Sequence, residues 1–224
     1  MLEGVDGVNW SALTHAYGPA DDVPGNLQAL VSHDQRAARA ALQKLGRSIF
    51  HQGSVYEATV AAIPFLAEIA LAPSVNERIR VHVLVMLAAA ANPYFVGEVE
   101  RDCRNAVARE LPSLRKLLEE PSIVRLGAAE VFGMVPAVMD PAPPALIDLR
   151  DEAKEPALKL VLDIAVARIE GRDAHAFVER LAEIDDSFRA HREVWEDASG
   201  EATERSALEI VLEGAIAGEL RRAH

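Results

Sequence analysis

The sequence predicts an all-α protein built of stacked helix pairs, and three observations carry that prediction. Half of the 224 residues are hydrophobic but only 5% are aromatic, so Ala, Leu, Val and Ile must fill the core. Ala and Leu have high helix propensity, and small side chains let helices approach closely. Apolar residues recur at three- and four-residue steps, as at Leu111, Leu114, Leu117 and Leu118. Finally, one pattern returns four times: proline, apolar helix, short polar turn, second helix.

The four copies read "VPGNLQALVSHDQRAARAALQKL", "IPFLAEIALAPSVNERIRVHVLVML", "LPSLRKLLEEPSIVRLGAAEVFGMV" and "PPALIDLRDEAKEPALKLVLDIAVARI". Aligned on their prolines they begin at Pro24, Pro64, Pro112 and Pro144. A basic residue near the start of each second helix, Arg39, Arg80, Arg125 and Lys159, recurs roughly in phase with them. Spacings of roughly 30–50 residues mark stacked helix pairs. Proline early in a helix costs little, because the amide hydrogen it lacks is unpaired there anyway. The turns offer caps for the next helix: Ser32 or Asp34, Ser74 or Asn76, and Ser122. The second helix of each pair is the more uniformly apolar, as a helix buried on two sides must be. No pair buries both faces alone, so stacking is obligatory.

The third copy, Pro112 to Val135, resembles a HEAT repeat, and the other three are similar but looser, over Val23 to Ile169. The resemblance implies a right-handed α-solenoid of about four HEAT-like pairs with capping helices at both ends. It also implies that the recurring basic residue pairs with turn carboxylates or carbonyls of adjacent units. The second copy departs from the family, with Asn76 and Glu77 in place of a turn Asp. Over about the first 70 residues, "HAYG", "DVP" and "HQGSVYEAT" followed by "AIPFL" resemble a group of actinobacterial HEAT-repeat proteins of unassigned activity. That similarity transfers no catalytic residue.

The chain is expected to form a single domain over 1–224. Residues 1–22 are predicted to hold a capping helix, with Trp10 and Leu13 against the first pair, Gly18 as its stop and Asp21 or Asp22 capping the next helix. The helix pairs occupy 23–170, and further capping helices occupy 171–224 around an acidic loop near 195–204, "EDASGEATE". "LRRAH" puts positive charge on a helix C-terminus, where the dipole favours it.

Charge and cysteine usage bound the function. A formal net charge of -12, from 35 acidic and 23 basic side chains, repels phosphate backbones and favours a basic protein partner. Cys103 is the single cysteine, so no internal disulfide or multi-cysteine metal site is available; its neighbours Arg101 and Arg104 favour a thiolate, but an ordinary helix residue is the expectation. The start "MLEGVDGVNW" is not a signal peptide, and the longest apolar run, "VHVLVMLAAAA", is far short of the roughly 20 residues that cross a bilayer. The expectation is a soluble, cytoplasmic protein without a membrane partner.

The stretch "FHQGSVYEAT", Phe50 to Thr59, is unusually polar for a helix junction. Gly53 suits a left-handed stop for the preceding helix. Ser54 and Glu57 have capping-box spacing for the next helix. His51, Gln52, Tyr56 and Thr59 exceed what a stop and a cap need. If the N-terminal "WSALTHAYG" packs nearby, His15, Tyr17, His51 and Tyr56 converge. The candidate binding residues are therefore Trp10, His15, Tyr17, His51, Gln52, Tyr56, Glu57 and Thr59.

The remaining motifs point to structure. There is no GxxxxGK[ST], GxGxxG or HExxH sequence. His82, in "RIRVHVLVM", reads as a buried, hydrogen-bonded histidine. His175 and His191 lack metal-like spacing, and "EIDD" and "WEDASGE" lack the alternation of a calcium loop. Met134 and Met139 read as core and turn residues.

Three functions compete. The preferred one is a non-enzymatic protein-interaction module, an adaptor or bacterial immunity-type protein gripping a basic partner on an acidic concave face, with no catalytic residue, metal or cofactor. A DNA glycosylase-like enzyme would combine Trp10 or Trp195 with a stripe of Arg36, Arg39, Arg78, Arg80 and Arg125. A small-molecule enzyme or binding protein would build a pocket around His15, His51, Tyr56 and Glu57.

Overall fold

The computed structural model describes residues 1–93, 97–139, 141–194 and 200–222. Among them helices dominate, and the β-structure is confined to two hairpins with two-residue strands. The chain packs as two compact units, Met1–Leu114 and Arg115–His224, so the boundary falls inside the third sequence copy. No helix of the described residues is long and apolar enough to cross a membrane.

The N-terminal unit opens with 3-10 turns at Val5–Gly7 and Trp10–Ala12, then a hairpin of β1 (Thr14–His15) and β2 (Gly18–Pro19). These elements stand where a capping helix was expected. Gly18, at φ 122, and Pro19 follow Tyr17 directly, and neither supports a continuing helix. Helices α1 (Val23–Leu30) and α2 (Gln35–Ser48) form the first pair; Asp34 caps α2 by accepting from the amides of Arg36 and Ala37. A second hairpin, β3 (Phe50–His51) and β4 (Ser54–Val55), leads into the pair α3 (Glu57–Leu71) and α4 (Glu77–Ala91), and α5 (Glu98–Leu114) packs on both. The core is aliphatic, with Leu27, Leu30, Leu45, Ile49, Ile63, Leu66, Leu84 and Leu87 buried.

Only two of the four landmark prolines open helices: Pro24 and Pro144. Pro64 lies inside α3, where it leaves the Val60 carbonyl without its intrahelical donor, and Pro112 lies in the last turn of α5. Both helices begin upstream of their proline, α3 behind its Tyr56 cap, and flanking packing outweighs one lost bond.

The C-terminal unit comprises a 3-10 turn, Arg115–Glu119, and α6 (Val124–Met134), α7 (Pro144–Glu152), α8 (Pro156–Ile169), α9 (His175–Ile184), α10 (Asp186–Val194) and α11 (Gly200–Arg222). Helix α11 packs on α6 and α8, and residues 200–204 of the expected acidic loop already belong to it; 195–199 lie outside the described residues. Gly133 sits where α6, α8 and α11 meet. A Cβ there would stand 2.9 Å from the Ala165 Cβ and 3.0 Å from the Leu208 Cδ2.

The basic landmark divides. Arg80 is buried and donates from Nε to the Ala70 carbonyl at 2.8 Å, tying α4 to the last turn of α3. Arg125 reaches Glu152, at the end of α7, at 2.9 Å. Arg39 and Lys159 are exposed. Two arginines outside the repeat pattern use the Arg80 geometry: Arg104 donates to the Ala91 carbonyl, and buried Arg168 to the Gly133 carbonyl at 2.7 Å. Each places a cation on a helix C-terminus, whose carbonyls lack intrahelical donors.

Candidate functional site

The site grows from the two hairpins of the N-terminal unit. In the second, Phe50 pairs with Val55 and His51 with Ser54, leaving Gln52 and Gly53 as a two-residue turn. Their φ values of 51 and 80 are both positive, as a type I′ turn requires. Gly53 is thus left-handed as expected, but it turns a hairpin; α2 has already ended at Ser48. The first hairpin docks beside it, with the Ala16 amide donating to the Ser48 carbonyl at 3.0 Å.

This docking fixes His15. The ring is 9% exposed, and its Nδ1 accepts from the Tyr17 amide at 3.1 Å. The proton therefore sits on Nε2, which donates to Asp22 Oδ1 at 2.9 Å. Asn26 steadies the same carboxylate by donating to Oδ2 at 3.1 Å. Asp22 precedes α1 without capping it, since its side chain is committed to His15 and Asn26. Tyr17 is held edge-on between two imidazoles, 6.1 Å from His15 and 5.5 Å from His51 between ring centroids, and is 67% exposed.

Between this hairpin and the end of α2 lies a cavity of about 510 Å³, walled by His15, Tyr17, Pro19, Asp21, Asp22, Lys44, Arg47 and Ser48. Lys44, Arg47 and Ser48 share one face of α2, being three and four residues apart. Ser48 is buried and its Oγ has no hydrogen-bond partner.

The eight sequence candidates separate into four places. Of the four rings expected to converge, His15, Tyr17 and His51 meet and Tyr56 does not join them; only His15 and Tyr17 reach the cavity wall. Gln52 is exposed at the turn. Tyr56, Glu57 and Thr59 start α3, with the cap two residues later than the expected Ser54–Glu57 box. Tyr56 is the N-cap, its amide donates to Thr59 Oγ1 at 2.9 Å, and that hydroxyl donates to the Ile49 carbonyl at 2.5 Å. Strand pairing places Ser54 in β4, which moves the helix start downstream. Glu57 instead accepts from the Thr14 hydroxyl, and this bond holds its carboxyl below the usual carboxylate range. Trp10 packs against Phe65, ring centroids 6.2 Å apart, and its Nε1 donates to the Val5 carbonyl at 2.7 Å. It serves the core.

No family model, curated protein or solved structure matches the chain.

Sequence reasoning missed Lys44, Arg47 and Ser48, which read as an ordinary amphipathic helix end. Only the position of "HAYGP" against that end, set by the Ala16–Ser48 bond, makes them a wall. Elsewhere, burial and the charges of Glu100 and Asp102 push the Cys103 thiol up to about 12, the reverse of thiolate activation. His82 is exposed, although its Nδ1 meets the Arg78 carbonyl at 2.6 Å; the helical period places it on the outer face of α4. His175 faces Glu179 at 3.8 Å on the surface. Met134 is core, and the Met139 amide donates to the Ile169 carbonyl. No group of three or more metal-ligating side chains occurs among the described residues. Trp195 lies outside them.

Proposed function

We propose that this protein is a non-enzymatic interaction module, an adaptor or immunity-type protein, that binds a basic polypeptide through a surface centred on Tyr17. The observation that carries the reading is the presentation of that ring: 67% exposed, yet fixed between His15 and His51 by two docked hairpins. An aromatic oriented before contact lowers the ordering cost of binding, and tyrosines are over-represented among residues that dominate interface energies. A chain charge of -12 steers a cationic partner. The HEAT-like, right-handed arrangement of the helix pairs belongs to the same proposal. It is supported by the short-turned pairs α1–α2, α3–α4 and α7–α8 and by the buried arginine that ties α4 to α3.

The test is affinity capture with wild-type and Tyr17→Ala baits at about 50 and about 500 mM salt. The proposal expects a basic protein retained at low salt, lost at high salt, and depleted at least about tenfold by the substitution. Retention indifferent to both salt and Tyr17, or no specific retention at low salt, contradicts it.

A further inference from the structure

The cavity beneath Tyr17 has a volume of about 510 Å³. We propose that it is a binding site for a small zwitterion of the amino-acid class, whose carboxylate meets Lys44 and Arg47 and whose ammonium meets Asp21 and Asp22. This goes beyond partner binding and does not depend on it.

Two observations carry the assignment. Among the described residues no carboxylate lies within 4.0 Å of the Lys44 ammonium or the Arg47 guanidinium, although Asp21 and Asp22 line the same cavity. Two cations and two carboxylates thus share one space without neutralising one another. Lastly, the Asp22 carboxylate is held in place by the Nε2–H of His15 and the amide of Asn26.

The charge pattern selects the ligand. With His15 in the neutral form that its two hydrogen bonds define, the titratable walls carry equal positive and negative charge. A simple anion gains at Lys44 and Arg47 but meets Asp21 and Asp22; a simple cation meets the converse. Only a molecule bearing both charges complements both walls, and the guanidinium fork of Arg47 suits a carboxylate. A volume of about 510 Å³ admits a single amino acid or a similarly sized zwitterion.

The experiment is a calorimetric titration of the full chain with each of the twenty free amino acids, followed by the N-acetyl and C-amide derivatives of any that binds. Acetate and ethylammonium are run as single-charge probes. The proposal expects at least one free amino acid to bind below about 1 mM, and capping either terminus to weaken it at least about tenfold. Lys44→Gln and Arg47→Gln, both at exposed positions, are expected to weaken binding at least about fivefold with an unchanged circular dichroism spectrum. Absence of binding up to about 10 mM for every amino acid, equal binding of capped forms, or equal binding of acetate or ethylammonium alone overturns the assignment. None of these variants touches Tyr17, so loss of partner capture and loss of zwitterion binding are separable results.

Discussion

The His15 imidazole donates from Nε2 to Asp22 at 2.9 Å while its Nδ1 accepts the Tyr17 amide, so one buried ring joins the first hairpin to the start of α1. Removing the acceptor leaves a buried donor unpaired. Asp22→Ala is expected to lower stability by about 1 kcal/mol in urea denaturation, near the low end for such a loss because the Asp22 side chain is 54% exposed. The same substitution should loosen the turn that orients Tyr17, read as faster amide exchange at Tyr17. Unchanged stability and exchange would show that the contact contributes nothing.

The cap of α3 has a measurable register. Thr59 is fully buried and its hydroxyl serves both the Tyr56 amide and the Ile49 carbonyl. Thr59→Val keeps the shape but strands both groups, at an expected cost of about 2–3 kcal/mol. Ser54→Ala, at the position that the sequence suggested as the cap, should change stability by less than about 0.5 kcal/mol. Equal costs would contradict the downstream register.

Arg80 and Arg39 occupy equivalent places in the repeat pattern but not in the protein. Arg80 is 6% exposed and pairs with the Ala70 carbonyl, whereas Arg39 faces solvent. Arg80→Met is expected to cost about 2 kcal/mol and Arg39→Met less than about 0.5 kcal/mol. Thermal denaturation of the two variants under one condition decides it.

Helices, short polar turns and the aliphatic core were legible in the sequence, because apolar spacing and composition act locally. The convergence of His15, Tyr17 and His51 was also legible, from an excess of polar residues that capping did not use. The strand pairings were not: two-residue strands carry no alternation, and the Gln52–Gly53 turn imitates a helix stop. Pro64 and Pro112 read as helix starts but lie within helices, because tertiary packing tolerates one missing backbone bond. The cavity stayed hidden because its α2 wall exists only once the first hairpin docks through the Ala16–Ser48 bond.

Glu130 gives the C-terminal unit a pH signature. It is 1% exposed, and burial, with the negative charges of Glu213 and Glu209 on α11, pushes its carboxyl well above the ordinary 4.5. A carboxyl raised in the folded state binds its proton more tightly there than in the unfolded chain. Its contribution is therefore fully present below about 4.5 and is lost as pH rises through the folded value. Glu130→Gln should thus gain on wild type as pH rises. Denaturant midpoints of both proteins between acidic and neutral pH test this; a constant or shrinking difference contradicts it.

The most direct test of the interaction reading is photo-crosslinking from a benzophenone side chain placed at position 17, with a second protein carrying it at Ile184, also exposed. If Tyr17 centres a surface for a basic polypeptide, position 17 yields one dominant adduct with a protein rich in Lys and Arg, and position 184 does not. The same diffuse adducts from both positions, or none from position 17, would contradict the account.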